Sequence, residues 1–219
     1  MKNQAIIFDL DGTLWDSSEE VTIAWNKGLE NLGLDKRISL DDMHNFMGKT
    51  LDVISEMMFP ELDVSARTNI MKECCKEEHK YIKEHGGHPY EGIIEMLEEL
   101  RENYQIYIVS NCQVGYIEAF MEYHNLEKYF DDIEMAGRTG LSKGENIKLI
   151  MDRNHIDKAV YVGDTMGDYE AACYAEVPFI YAKYGFGTVD EAKYVAKDIK
   201  QIPCFVNTIF LSWYKNLND

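Results

Sequence analysis

Positive charge is scarce in this sequence. Only 22 Lys and Arg stand against 39 Asp and Glu, a formal charge of −17 at pH 7 across 219 residues. Nucleic acid and anionic membranes carry charge of the same sign, so both are excluded as partners. A small anionic substrate is not excluded, provided local positive charge gathers at one place. Long apolar runs are missing too. No stretch approaches the length of a membrane span, and the apolar run after Met-Lys-Asn-Gln is too short for a signal peptide. The five cysteines (Cys74, Cys75, Cys112, Cys173 and Cys204) are odd in number and have no CxxC spacing. That argues against a disulfide framework or a structural zinc site and fits a reducing cytoplasm. Cys74 and Cys75, with His79 nearby, read as packing residues, because adjacent helix positions face different directions. None of the six histidines has a metal-like spacing, and His85 and His88 read as solvated.

What remains is the composition of an ordinary soluble globular protein, 46% apolar and 28% charged, long enough for one domain or two. Short apolar runs recur, each followed by a helical pattern. "QAIIFD" ends at Asp9, "QIYIVSN" at Asn111 and "AVYVGD" at Asp164; "PFIYAK" follows without an acidic end, and "DDIEMAG" is a less apolar strand candidate. Between them, "GIIEMLEELREN", "GYIEAFMEYHNL" and "ENIKLIMDRNH" carry apolar residues at three- and four-residue steps. Strands alternating with helices imply a parallel sheet covered on both faces, which explains runs that are solidly apolar. "YGFGT" is too short and poorly placed for a dinucleotide fingerprint and reads as a loop after the last main strand. In the tail, Phe205, Ile209, Phe210 and Trp213 stand at helical spacing and read as a stripe packed on its own domain.

The stretch after Asp16 breaks this rhythm. It reads as helices only, over Ser18–Leu32, Leu40–Phe46, Leu51–Met58 and Val64–Glu84, and ends in "HGGHPYEG", two glycines and a proline stop. The expected architecture is α/β: a Rossmann-like, doubly wound parallel sheet core (residues 1–15 and 88–219) with an inserted all-α helical cap (residues 16–87). Linkers near Trp15–Ser18 and Gly86–Pro89 would let the insert move as a body. Trp15, Trp25 and Tyr90 read as hinge packing.

Ligands of open parallel sheets collect outside the carboxyl ends of the strands. The unusual polar residues stand at those ends: Asp9 and Asp11 after one strand, Ser110 and Asn111 after another, Asp164 and Asp168 after a third. Lys143, just before a helix, can reach the same rim. Two or three carboxylates and a backbone carbonyl form an oxygen-only site, which suits Mg²⁺ rather than zinc. Lys143 adds positive charge, Ser110 and Thr13 offer hydroxyls, and Gly12 permits close backbone approach. Such a set can hold a phosphoryl group. Asp168 has a second reading as a cap of the helix that follows it.

"DLDGT" followed by "SN", a lone lysine and "GDTMGD" resembles the haloacid dehalogenase superfamily of aspartate-nucleophile phosphotransferases, over nearly the whole chain. The helical insert looks like the small cap of its phosphoglycolate phosphatase and β-phosphoglucomutase branch. The resemblance implies that Asp9 attacks phosphorus and that Asp11 protonates the leaving oxygen and then activates water. It implies Mg²⁺ held by Asp9, the Asp11 carbonyl and Asp164, with Asp168 supporting it directly or through water. Ser110 and Lys143 would grip the phosphoryl oxygens, joined by the Asn111 amide. Lys49 in the cap segment "MGKTLD" reads equally as a contact to a second anionic group on the substrate and as a solvated lysine. Asp11 favours a phosphate ester over a halide, which needs no proton on leaving. In one place the chain departs from the branch, with "SKGENI" where a proline-containing segment commonly follows the lysine. The expected activity is magnesium-dependent hydrolysis of a small phosphorylated metabolite. The alternatives are a phosphomutase with the same residues, a receiver-like signalling domain and a non-catalytic phosphate-binding protein.

Overall fold

A computed structural model describes residues 4–215 of the chain. The first strand, β1 (Gln4–Phe8), leads through a tight turn into β2 (Trp15–Asp16) and four helices: α1 (Ser18–Asn31), α2 (Leu40–Phe46), α3 (Leu51–Met58) and α4 (Val64–His85). The chain returns through β3 (His88–Pro89) to α5 (Ile93–Arg101), β4 (Gln105–Ser110), α6 (Tyr116–His124), β5 (Asp132–Met135), the single turn α7 (Ala136–Thr139) and α8 (Lys143–Arg153). It closes with β6 (Lys158–Gly163), α9 (Met166–Ala175), β7 (Phe179–Ala182), β8 (Tyr194–Ala196) and α10 (Ile202–Lys215).

Six strands form one sheet in the order β5-β4-β1-β6-β7-β8, and every pairing is parallel. Alternate residues of β1 feed two cores. Ile6 and Phe8 join Ile106, Ile108, Val160 and Val162 on one face; Ala5 and Ile7 join Tyr107, Val109 and Tyr161 on the other. Helices cover both faces, so β7 and all but the first residue of β1, β4 and β6 are buried, and those runs carry no polar alternation. Ile209 and Phe210 of α10 are buried in the first of these cores, so the tail packs on its own domain as its spacing implied. The "DDIEMAG" segment is the edge strand β5. The opposite edge, β8, is a strand that the sequence reading did not pick out. It is only three residues long, and its place is fixed by pairing with β7 rather than by its own composition.

The inserted cap is built around α1 and α4. Trp25 and Leu29 of α1 pack with Ile70, Met71 and Cys74 of α4, and Met43, Phe46, Ile54 and Met58 of α2 and α3 complete the same apolar cluster. Cys74 is therefore a packing residue, and His85 and His88 are exposed. The two linkers hydrogen-bond to each other as an antiparallel ribbon, Trp15 opposite Pro89 and Asp16 opposite His88. Two short segments joined this way move together, which suits a hinge better than two independent coils.

Candidate active site

The parallel register places three strand ends side by side. Phe8 pairs with Ile108 of β4 and with Val162 of β6, so Asp9, Ser110 and Asp164 leave the sheet at one edge. The Asp9 amide donates to the Val162 carbonyl at 2.8 Å, carrying the ladder one residue past β1 and fixing where its carboxylate emerges. One carboxylate oxygen each from Asp9, Asp164 and Asp168 lies within 4.8 Å of the others, and all three residues are buried. Lys143, the first residue of α8 and also buried, holds its ammonium 2.9 Å from Asp9 Oδ1 and 2.5 Å from Asp168 Oδ1. The Ser142–Glu145 capping box starts α8 at that point and so sets where the lysine begins.

Electrostatics in this cluster is unbalanced. Burial, the Asp168 charge and the Asp11 charge push the Asp9 carboxyl up to about 7, although Lys143 pulls the other way. Asp164 is raised as well, by burial and then by Asp168 and Asp9. Burial alone would lower the lysine, but its pairing with Asp168 and Asp9 outweighs that and holds it above its ordinary value. Three carboxylates against one ammonium leave two negative charges when all are ionised. A divalent cation removes that excess.

The unsatisfied atoms say which groups would hold it. Asp9 Oδ2 and Asp164 Oδ1 are buried without a hydrogen-bond partner, and Asp9 Oδ1 has only its ion pair with Lys143. Buried carboxylate oxygens rarely go unpaired. Asp164 Oδ2 is fixed by the Phe186 amide at 2.7 Å, aiming the other oxygen at Asp9. An oxygen-only pair with room for waters and phosphate fits a hard cation such as Mg²⁺. Asp168 differs. Its Oδ1 accepts from Lys143, and its Oδ2 accepts from the Thr165 hydroxyl and from the Thr165 and Asp164 amides. It is also the N3 residue of the capping box that starts α9. It holds Lys143 and the backbone of Asp164 while standing in the carboxylate cluster that could carry a cation.

Asp11 stands beside this cluster, stapled through one oxygen. Its Oδ1 accepts from Trp15 Nε1 at 2.9 Å, the Ser17 hydroxyl at 2.9 Å and the Tyr116 hydroxyl at 3.0 Å. Burial nevertheless raises its carboxyl, and those three donors only partly offset it. Trp15 is thus more than hinge packing. Gly12, with φ +75°, turns the chain directly after Asp11, and a Cβ there would lie 2.2 Å from Asp164 Oδ2. Left-handed strain and that overlap together set the expected cost of Gly12→Ala at about 3 kcal/mol. Urea unfolding should show the midpoint falling with the slope unchanged.

Asp9, Asp11, Ser110, Asn111 and Lys49 line one cavity between core and cap. The Ser110 hydroxyl accepts the Cys112 amide at 3.4 Å. Asn111 donates its side-chain amide to the Gly48 carbonyl of the cap at 2.8 Å, leaving its Oδ1 buried and unpartnered. One expected position, Thr13, lies outside this cavity, and Lys49 lines it with its ammonium turned to its own segment. The Thr13 hydroxyl is buried without a partner, outside the residues lining the cavity. Lys49 is exposed, with its ammonium bonded to the Asn45 carbonyl of its own cap segment. Four contributors escaped the sequence reading: Ser17, Tyr116, the Phe186 amide from the "YGFGT" loop, and Glu78. The Glu78 carboxyl is buried in the cavity wall and accepts from Trp25 Nε1 and Gln113 Nε2. A signal for Glu78 existed, since it falls on the stripe of Met71, Cys74 and Ile82 that α4 buries.

Comparison with known proteins agrees with this geometry. A family model described as haloacid dehalogenase-like hydrolase matches residues 6–182. A phosphoglycolate phosphatase from Photobacterium profundum is 26% identical over 196 residues, covering 83% of each chain. A 5'-nucleotidase from Pseudomonas aeruginosa is 27% identical over 196 residues, covering 86% of each. The solved structure of a haloacid dehalogenase-like family hydrolase from Streptococcus pneumoniae superposes with a TM-score of 0.80 at 22% identity, covering 94% of this chain and 99% of that one. With its strand-end carboxylates, buried lysine and inserted cap in one parallel α/β frame, the chain belongs to the haloacid dehalogenase-like hydrolase family.

Proposed function

We propose that this phosphoric monoester hydrolase takes a small soluble phosphomonoester, with Mg²⁺, through an aspartyl-phosphate on Asp9. The class of enzyme follows from the family and from the phosphatases it resembles; the mechanism is read from the site. The observation that carries it is the buried Asp9–Lys143–Asp168 ion cluster with orphaned carboxylate oxygens, next to an acid held by three donors.

Asp9 attacks phosphorus with one carboxylate oxygen, and the ester oxygen leaves. Lys143 lies against the other side of that carboxylate, favouring its ionised form and neutralising charge on the transferring oxygens. Asp11, its carboxyl raised by burial and fixed through Oδ1, delivers a proton to the departing alkoxide from the remaining oxygen. In the second half Asp11 takes a proton from water as that water attacks phosphorus, which releases phosphate and restores Asp9. Mg²⁺, held by Asp9, Asp164 and the Asp11 carbonyl, would supply Lewis-acid neutralisation of the phosphoryl charge. Ser110 and the Asn111 amide complete the phosphate grip. The helices from 16 to 87 act as a cap that opens about the β2–β3 ribbon, and Asn111 and Gln113 bind its closed form through Gly48 and Glu78.

Among the described residues no helix is long and apolar enough to cross a membrane. Five unpaired thiols suit a reducing compartment, and we assign the enzyme to the cytoplasm. The test is release of free phosphate from a panel of phosphorylated metabolites, with Mg²⁺ and with the metal chelated. Turnover is expected only with Mg²⁺. Isomer production from a hexose phosphate in place of phosphate release would establish a phosphomutase instead.

A further inference from the structure

The part of the cavity that faces the leaving group is built differently from the phosphate end. Its cap wall is apolar, with Val21, Trp25, Met43, Phe46 and Ile54 all buried. Into this wall α4 inserts Glu78, which is 2% exposed. Both of its oxygens are already held, Oε2 by the Trp25 indole and Oε1 by the Gln113 amide, so its direction is fixed from the cap and from the core at once. Each carboxylate oxygen accepts about two hydrogen bonds, leaving Glu78 with acceptor capacity toward the cavity. Lys49 is the one Lys or Arg among the described residues lining it, and that ammonium is exposed and bonded to Asn45.

We propose that Glu78 selects phosphomonoesters whose leaving alcohol is uncharged and carries a further hydroxyl, and that the pocket rejects esters with a second anionic group. This rests on the phosphatase reading above and names the substrate class for the same site. A substrate carboxylate closed into this wall loses its water, has only the outward-turned Lys49 as counter-charge and meets a second carboxyl group. A substrate hydroxyl instead donates to Glu78 and leaves nothing unpaired. Burial pushes the Glu78 carboxyl up to about 8. A donated hydroxyl favours its ionised form and is bound by it, whereas a neighbouring anion drives the carboxyl further up. The inference separates this chain from what the name of its phosphoglycolate phosphatase relatives implies for them, although the phosphate end is compatible with theirs.

The decisive comparison uses two esters that differ only at the terminal carbon, 2-hydroxyethyl phosphate and 2-phosphoglycolate, with p-nitrophenyl phosphate as a reference lacking an alcohol hydroxyl. For the wild-type chain with Mg²⁺, kcat/KM is expected to favour the hydroxyethyl ester by at least about tenfold. A smaller or reversed ratio overturns the proposal. Glu78→Gln keeps the shape and an oxygen that accepts from Trp25, cannot carry charge, and presents an NH2 that can donate to an anion and that meets Gln113 once the Gln113 amide turns its own oxygen inward. That variant is expected to lower the ratio by about tenfold, over and above any loss common to all three esters. An equal loss on all three esters, or an unchanged ratio, shows that Glu78 only fastens the cap and overturns the proposal. If phosphate is released from none of the three esters, the phosphatase reading fails and takes this one with it. Release with a preference for phosphoglycolate sinks the substrate class alone.

Discussion

Asp9→Asn should lower kcat by at least about four orders of magnitude and leave the fold intact. An amide oxygen in the same place cannot form the acyl phosphate, because the nitrogen lone pair is delocalised and no negative charge is available to attack. Stability should be preserved for a separate reason. Asp9 is one of three buried carboxylates that oppose one another's ionisation, and Asn relieves that repulsion at nearly the same volume. Lys143 keeps Asp168 as a partner at 2.5 Å, so it is not stranded. Phosphate release measured beside thermal unfolding separates the two effects. Substantial hydrolysis by a folded variant would mean that another group attacks phosphorus. A variant that fails to fold would mean that the charge at position 9 is structural.

The residues of this site differ in how far the sequence announces them. Asp9, Asp11 and Asp164 stand out because each ends a solidly apolar run, and a parallel sheet brings such ends together. Lys143 was visible as the first residue after a Ser that starts a helix. Asp168 was legible in two ways at once, as a helix cap and as a metal-site carboxylate; it takes part in the capping box of α9 and also stands in the cluster with Asp9 and Asp164. Lys49 was legible both as a substrate contact and as a solvated lysine, because "MGKTLD" offered a cap loop able to face the site. Where its side chain turns depended on the nearest free carbonyl, which no local pattern encodes. Glu78 lies among Lys, Glu and His residues along "KECCKEEHKYIKEH", so its charge looked solvated even though its helical phase placed it inside. Backbone groups were the least legible. Nothing in "YGFGT" states that the Phe186 amide ends at Asp164, because that contact depends on how β7 and the loop after it fold back over the strand ends.

The fold divides along similar lines. The four cap helices and β1, β4 and β6 are long enough for their own periodicity to define them, with boundaries that agree within about two residues. The edge strand β8 and the ribbon of β2 and β3 are two or three residues each. Segments that short take their conformation from the strand they pair with, and Pro89 at β3 would argue against a strand on propensity alone.

Metal binding is expected to change both the stability and the pH response of the protein. Without metal, Asp9 holds its proton up to about 7 in the folded chain, against an ordinary value of 3.8. Between those two values the folded state binds more protons than the unfolded one, so Asp9 lowers stability as pH rises through that window. A bound divalent cation reverses this, because it requires the ionised carboxylate and supplies the missing charge. At neutral pH, Mg²⁺ at about 100 times its dissociation constant should stabilise the chain by about 3 kcal/mol, several degrees in thermal midpoint. Below about pH 7 the apparent affinity should fall about tenfold per unit for each proton displaced. Asp164→Asn removes the other orphaned oxygen donor while keeping an acceptor for the Phe186 amide, so the loop stays anchored. That variant is expected to lose the magnesium-induced shift and at least about a hundredfold in metal affinity, measured by titration calorimetry across pH 5.5 to 8. An undiminished thermal shift in Asp164→Asn, or a wild-type affinity indifferent to pH, would mean that the cation sits elsewhere and that the repulsion among Asp9, Asp164 and Asp168 is relieved by protons alone.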